Sequence, residues 1–225
     1  MGRPRIDPTA VTTTSRVLDA AVIAFAAEGI DGATLADIAA AAGITRPSLL
    51  YHFASKERLY EAALARVFAD IGAMIRAASS PGGTPGEDDV GRGPGSDVDP
   101  SVVHEMHQHR LLQLVEGFAA FAVQQPATAR LLLRAIVADD NPATRALLIS
   151  QAVPAIDAVC ALARQAAAVE TDLRATLMAI IVDVLARAAA GDAATALWAH
   201  GSARHLAERL LFPRHQAPAS HRGAP

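Results

Sequence analysis

The chain has 225 residues, of which 52% are hydrophobic and only 4% aromatic, and its formal net charge is −3. Much of the apolar content is alanine, the strongest helix former, so the composition predicts an all-α protein. The slight acidity excludes a globally basic protein that coats nucleic acid, although a local basic patch remains possible. The single cysteine, Cys160, excludes an intrachain disulfide and favours a reducing compartment.

Membrane and export signals are not expected. No run of 18 or more apolar residues lacks charges, and the first ten residues have no apolar core typical of a signal peptide. The sequence therefore predicts a cytoplasmic protein without a membrane partner.

Residues 1–12 are predicted to form a flexible basic arm that carries Arg3 and Arg5 beside prolines. One interpretation is an arm that becomes ordered on DNA and places its arginines on phosphates or in the minor groove. The simpler alternative is a disordered start of the chain, and the two are compatible because such arms often fold on binding.

Residues 13–60 are predicted to form a helix-turn-helix domain. Apolar side chains in residues 14–28 share one helical face, and Gly29 ends the pattern. Thr34 with Asp37 three residues later forms a capping-box pattern for a second helix, which Gly43 ends.

A third helix is predicted to begin after Thr45 and to run to about His52, with Pro47 tolerated in its first turn. If Leu49 and Phe53 face inward, Pro47 and Tyr51 point away from the core. Arg46 and Ser48 then complete an exposed face whose side chains suit the edges of bases in a major groove. The alternative is an ordinary solvent-facing helix.

Lys56 is the only lysine of the chain and falls in the first turn of the next predicted helix, after a possible Ser55 cap. The helix macrodipole disfavours a cation at that place. A bound phosphate would benefit both from the lysine and from the free amides of the first turn. Phosphate contact is therefore one interpretation, and a solvated lysine is the other.

These segments resemble the DNA-binding domain of TetR/AcrR-family bacterial transcriptional regulators. The resemblance rests on TSRVLDAAVIAFAAEGI, ATLADIAAAAGITRPSLLYHF and SKERLYEAAL, about a quarter of the chain. It implies phosphate contacts from Thr34 and Lys56 and backbone contact from His52. It further implies base or backbone contacts from the exposed side chains of the third helix, which are Thr45, Arg46, Pro47, Ser48 and Tyr51.

The third helix departs from the family pattern at one pair of residues. The family usually has Leu-Tyr where this chain has Leu49-Leu50, and the tyrosine is displaced to Tyr51. Tyr51 either replaces the phosphate contact that the family's tyrosine makes or reads a base.

Residues 61–213 are predicted to form a helical ligand-binding and dimerisation domain, with a flexible loop at 79–100 and a disordered tail at 214–225. A long helix over 56–78 would connect the head to this body. The later helices are predicted at 101–124, 126–138, 142–168 with a kink at Pro154, 171–189 and 193–211. The last two carry apolar stripes suited to a four-helix dimer interface, and Gly201 and Ser202 are read as sites of close helix approach.

Ligand-binding residues are harder to predict. His104 and His107 share a stripe with Leu111 and Phe118, so these four are the candidates for a ligand pocket. With Glu105, the histidines suggest a metal site as an alternative, and polar residues at a helix entrance are the plainest reading. Cys160 is expected to pack in the core, with redox sensing as the alternative.

We interpret the sequence as that of an all-α, homodimeric regulator that binds a palindromic double-stranded DNA operator. A small apolar or aromatic effector would release it, so repression is favoured, and no cofactor or resident metal is expected. No nucleophile elbow, phosphate loop or zinc-protease motif supports an enzyme. The alternatives are a metal- or redox-responsive regulator that uses His104, His107 or Cys160, and a helical partner-binding protein that does not read DNA.

Overall fold

The computed structural model describes residues 8–79, 100–138, 141–166, 172–198 and 201–213, and the secondary structure in these ranges is helical throughout. This confirms the all-α fold. The helices are α1 (Pro8–Gly32), α2 (Leu35–Ala41), α3 (Arg46–His52), α4 (Lys56–Ser79), α5 (Pro100–Gln124), α6 (Pro126–Val137), α7 (Pro142–Leu147), α8 (Val153–Gln165), α9 (Leu173–Ala190), α10 (Ala193–Trp198) and α11 (Ala203–Leu211), with a π-helical turn (Leu148–Ala152) between α7 and α8.

The first helix begins earlier than the sequence predicted. It starts at Pro8, whose missing amide is harmless in a first turn, so residues 8–12 are helical and do not belong to an arm. Arg3 and Arg5 lie outside the described residues, as do the predicted tail at 214–225 and, except for its two ends, the predicted loop at 79–100.

Helices α1 to α3 and the start of α4 form a small head around one apolar core. Val17 and Phe25 of α1, Ile38 of α2 and Leu49 of α3 are fully buried there. The rings of Phe25 and Tyr60 meet edge to face with centroids 5.0 Å apart. Helices α2 and α3, with seven residues each, are too short to be stable alone, so burial of these apolar faces against one another holds the head together.

The remaining helices form a body that is connected to the head through two helices, α4 and α6. Helix α4 runs out of the head and packs along α5, and α6 lies between α1 of the head and α9 of the body. At that junction, Arg134 of α6 lies against the backbone of Gly29, where α1 is kinked. Head and body are therefore joined through two contacts.

The prediction of one kinked helix over 142–168 was correct about an irregularity at Pro154, and the helical segment ends earlier than predicted, at Gln165. The chain forms α7, then a π turn over Leu148–Ala152, and then α8, which ends at Gln165. Pro154 lies in the first turn of α8. Since its ring crowds the carbonyl four residues earlier and it has no amide to donate, the wider π turn before it relieves the conflict.

The prediction of one helix over 193–211 was wrong. Helix α10 ends at Trp198, and Ser202 begins α11 by accepting a hydrogen bond from the His205 amide at 3.2 Å. A Cβ atom on Gly201 would meet nothing within 4 Å. Gly201 and Ser202 therefore separate two helices and do not mark a close helix contact.

The segment Pro142–Gln165 is long and apolar enough to cross a membrane by length and composition alone. Core helices of soluble proteins pass the same test, so this is weak evidence of a span. Little of the segment is fully buried, because many of its apolar side chains line an internal cavity and keep accessible surface.

Candidate nucleic-acid interface and internal cavity

The start of α2 is capped as its sequence predicts, with one difference. The Asp37 amide donates to the Thr34 hydroxyl oxygen at 3.2 Å. The Asp37 carboxylate accepts from that same hydroxyl at 2.5 Å and does not reach the backbone of the cap residue. Thr34 is exposed, and it lies next to the end of α1 where Lys56 also arrives.

A tight left-handed turn links α2 to α3. The Gly43 amide donates to the Ala40 carbonyl and the Ile44 amide to the Ala39 carbonyl, both at 3.0 Å, which is the Schellman pattern. Gly43 has φ +66°, as predicted for the residue that stops α2. Arg16 of α1 donates to the Ala42 carbonyl, so the turn is also held from outside.

Helix α3 presents a continuous exposed face. The Thr45 hydroxyl accepts from the Ser48 amide at 3.3 Å and caps the helix, while Leu49 is fully buried and fixes its rotation. Tyr51 is 87% exposed. Its ring meets the His52 ring edge to face at 5.6 Å. Arg46 and Pro47 are exposed as well, so the structure brings together the α3 residues that the sequence singled out.

Lys56 has a structural role that sequence reasoning missed. Its Nζ donates to the carbonyl oxygens of Asp31 at 3.1 Å and Ala33 at 3.2 Å, at the end of α1. An ammonium group has three donors, so one donor remains. The lysine thus ties the start of α4 to the end of α1 and the α1–α2 connection.

The first turn of α4 is capped by Ser55, whose hydroxyl accepts from the Arg58 amide at 3.2 Å. A hydrogen bond with the Ser55 side chain lowers the pKa of Glu57, with help from a backbone hydrogen bond and the charge of Lys56. Glu57 is therefore ionised at neutral pH. This turn carries two cations, Lys56 and Arg58, and one anion, so its formal net charge is +1.

The body contains an apolar cavity of about 390 Å³ between α4, α5, α6, the α7–α8 segment and α9. This volume lies in the range of small-molecule sites. The residues that line it are Phe68, Ile71, Met74, Ile75, Leu114, Val115, Phe118, Leu132, Ile136, Arg145, Leu148, Ile149, Ala152, Val153, Ala155, Ile156, Val159, Arg174, Leu177, Met178, Ile180, Ile181 and Leu185.

Of the four ligand-binding candidates from the sequence, Phe118 lines this cavity. Leu111 is fully buried in the core, and His104 is exposed, so its expected inward orientation was wrong. His107 is partly buried, and its Nδ1 has no hydrogen-bond partner among the described residues. Sequence reasoning missed Arg145 and Arg174, because an isolated arginine on a helix carries no signal that it borders a cavity.

The described residues give less support to the two alternatives, metal sensing and redox sensing. No three His, Cys, Asp or Glu side chains converge there in a way that could hold a metal ion. Cys160 is buried, as the core-packing interpretation expected. Burial raises the pKa of its thiol, although the nearby Arg164 and Arg174 oppose that shift. A protonated, inaccessible thiol reacts slowly with oxidants.

Known proteins are similar to this chain both in the sequence of its N-terminal segment and in its fold. Residues 17–63 match the family described as "Bacterial regulatory proteins, tetR family". The IcaR negative transcriptional regulator of the biofilm operon icaADBC from Staphylococcus aureus (strain Newman) is 46% identical over 46 residues, which are 20% of this chain and 25% of that protein. The HTH-type transcriptional regulator SrpR of Pseudomonas putida is 43% identical over 53 residues, 24% of this chain and 25% of SrpR.

These matches span about a quarter of each curated relative, whereas the structural similarity extends along almost the whole chain. A TetR-like transcriptional regulator from Rhodococcus sp. RHA1 superposes with a TM-score of 0.60 at 23% identity, over 92% of this chain and 97% of that one. A Clostridium perfringens putative fatty acid metabolism regulator gives 0.63 at 13% identity, over 87% and 96%. At such identities the likeness concerns the fold. Residues 17–63 therefore match the N-terminal domain of the tetR family of bacterial regulatory proteins, and the fold of the chain resembles that of these solved structures.

Proposed function

We propose that the protein is a sequence-specific DNA-binding transcriptional regulator. The observation that carries the proposal is the exposed face of α3, where Arg46, Pro47 and Tyr51 point to solvent while Leu49 anchors the helix in the core. An arginine can bind guanine through two hydrogen bonds, and proline or tyrosine can contact a thymine methyl group or the backbone.

Phosphate contacts would set the orientation of this helix on the duplex. The candidates are Thr34, which is exposed, and Lys56, which has one donor left. Thr45, Ser48 and His52 border the same face. Arg3 and Arg5 are assigned by the proposal to an N-terminal arm that contacts the duplex beside the head.

The active form is proposed to be a homodimer, with residues 13–60 as the reading head and residues 61–213 as the dimerisation and ligand-binding body. Two heads about 34–36 Å apart would reach successive major grooves on one side of a palindromic operator. Helices α9 and α11 are the proposed interface. The proposal places the protein in the cytoplasm, where it acts by binding and not by catalysis.

An effector in the apolar cavity is proposed to control DNA binding. The cavity borders α4 through Phe68, Ile71 and Met74, and α4 begins in the head at Lys56. A ligand that prefers one position of α4 would shift the spacing of the two heads, and DNA must change ligand affinity by the same factor. We expect the effector to release a repressor from DNA, because the similar protein IcaR is named a negative regulator.

The test is binding to DNA fragments from the region upstream of the protein's own gene, measured by fluorescence anisotropy at about 0.15 M salt. The proposal expects one fragment to bind at least about a thousandfold more tightly than a scrambled fragment of the same length. Equal affinity for both fragments would refute specific regulation, and it would favour the partner-binding alternative.

A further inference from the structure

We infer that the cavity binds an unbranched alkyl chain of about a dozen carbons that ends in a carboxylate, and that Arg145 binds this carboxylate. The inference deepens the proposed function, because it names the chemical class of the effector. It rests on the shape of the cavity, the polarity of its wall, and the different states of its two arginines.

The cavity extends along two helical segments. Its lining runs from Leu148 of the π turn to Val159 of α8, and along α9 from Arg174 to Leu185, eleven residues further on in each case. Eleven residues correspond to about 16 Å of helix. A lining of that length around a volume of about 390 Å³ suits an extended ligand.

The same volume sets the length of the chain. At about 30 Å³ for each water-sized group, 390 Å³ holds roughly thirteen methylene-sized groups. The wall offers such a chain nothing to hydrogen-bond, because all lining residues other than the two arginines are apolar. Ligands with polar atoms along their length would leave those atoms unpaired in the cavity.

The two arginines differ in their partners. Arg174 is paired with the Asp157 carboxylate, which already offsets its charge. Arg145 is exposed and lines the cavity, and its side chain has no hydrogen-bond or ion-pair partner among the described residues. Its guanidinium can bind a carboxylate through two parallel hydrogen bonds.

The positions of the two arginines also orient the ligand. Arg145 precedes the π turn, and Asp157, which pairs with Arg174, lies twelve residues later. About 18 Å of helix separates them, slightly more than the roughly 16 Å over which the cavity lining extends. The carboxylate therefore belongs at the Arg145 end, beside α7, with the alkyl tail running along α8 towards Arg174.

The experiment uses the full chain and three probes below their aggregation concentrations: dodecanoate, dodecan-1-ol and dodecylamine. Affinity is measured by calorimetry, without DNA. The variants are Arg145→Gln, Arg145→Glu and, as a matched control, Arg164→Gln. Arg164 is an exposed arginine in the last turn of α8 that does not line the apolar cavity. Circular dichroism confirms that each variant is folded.

Dodecanoate should bind more tightly than dodecanol by about fivefold, the upper range for an exposed ion pair. Each methylene from octanoate to dodecanoate should increase affinity about fourfold, with a plateau once the cavity is full. Arg145→Gln should reduce dodecanoate affinity to that of the alcohol, and Arg145→Glu should make the amine the tighter ligand. Arg164→Gln should change none of these values.

Equal affinity of the acid and the alcohol for the unaltered protein would overturn the inference. It would also be overturned if Arg145→Gln and Arg164→Gln weakened dodecanoate equally, since the effect would then be general electrostatics. Failure of these binding tests leaves the DNA proposal intact, because promoter binding is measured separately. Conversely, absence of specific promoter binding would refute the regulator without changing the dodecanoate result.

Discussion

Lys56 serves both the fold of the head and the proposed contact with DNA. Two of its three donors bond the carbonyls of Asp31 and Ala33, at 3.1 Å and 3.2 Å, and the third is left for a phosphate. The sequence drew attention to Lys56 as the only lysine, but it could not reveal that the end of α1 lies within reach. Residues 23 and 25 positions apart meet there only because the head folds.

Two substitutions at Lys56 separate these roles. Lys56→Ala should lower the unfolding free energy by about 1 kcal/mol, because two carbonyls lose a donor. Lys56→Gln keeps an amide donor and should be closer to the unaltered protein in stability. Both variants should weaken DNA binding on every sequence and reduce the slope of log K against log salt by about 0.9 per head.

Thermal melts and salt titrations measure the two effects. An unchanged salt slope in both variants would show that Lys56 is only a structural tie and makes no phosphate contact.

Arg46 is predicted to read a base. Arg46→Ala should relax sequence preference, reducing discrimination at one base pair in each half-site by about 1–3 kcal/mol. Binding to a library of operator variants, each with one altered base pair, measures this. Arg58→Ala is a suitable control, since Arg58 is exposed, lies outside α3 and pairs with Glu61. If Arg46→Ala lowers affinity equally for all variants, Arg46 contacts a phosphate instead.

Gly29 and Gly43 occupy two different kinds of positive-φ backbone. Gly43 has φ +66° within a Schellman turn, where other residues are tolerated at a cost, and a Cβ there would come within 2.5 Å of the flexible end of Arg16. Gly29 has φ 75° and ψ 178°, a region that is essentially restricted to glycine, and a Cβ there would come within 2.8 Å of the Arg134 guanidinium.

We therefore expect Gly29→Ala to destabilise the protein by about 2–3 kcal/mol and Gly43→Ala by about 1–2 kcal/mol. Urea unfolding measures both values. Gly43→Asn should cost less than Gly43→Ala, because asparagine adopts the left-handed conformation more readily. The reverse order of the two alanine variants would contradict the backbone assignment.

At the scale of elements, a hydrogen-bonded cluster fixes α10 to α9. Asp183 accepts from Trp198 Nε1 at 2.9 Å and from Arg187 Nε at 2.7 Å. Arg187 also donates to the Gly201 carbonyl at 2.8 Å, and its guanidinium lies 5.5 Å from the centre of the Trp198 ring. One carboxylate thus holds together two helices and the connection that precedes α11.

Asp183→Ala should destabilise the protein by about 2–3 kcal/mol, because it leaves a partly buried arginine and an indole N–H without their acceptor. Trp198 is the only tryptophan of the chain, so its fluorescence reports directly on this contact. Asp183→Asn keeps an acceptor oxygen and should shift the emission less. Unchanged tryptophan emission in Asp183→Ala would mean that the cluster does not hold α10.

Local signals in the sequence were sufficient to predict where the helices of the head begin and end, but they were insufficient for some helices of the body. Thr34, Gly43 and Thr45 each act through neighbours within five residues, so the ends of α2 and α3 were predictable. The break at Ser202 interrupts a stretch whose apolar pattern continues across it, so that helix was predicted too long, and the π turn before Pro154 gives no signal in the periodicity. The cavity arginines depend on how α7 and α9 pack, which periodicity does not reveal.

At the scale of the whole molecule, the head and the body are joined through α4 and through the contact of α6 with α1. Helix α6 contributes Leu132 and Ile136 to the cavity wall, and Arg134 of the same helix lies against Gly29 of the head. The cavity is therefore connected to the head by two helices. If the proposed effector changes the affinity for DNA, DNA must change the affinity for the effector by the same factor.

The most direct test of the central claim is the ratio of affinities for the upstream fragment and a scrambled fragment, measured for the unaltered protein and for Arg46→Ala at the same salt concentration. The account predicts a ratio of at least about a thousand for the unaltered protein. It predicts that Arg46→Ala lowers this ratio by at least about tenfold, since two half-sites each lose a base contact. A ratio near one for the unaltered protein would contradict it.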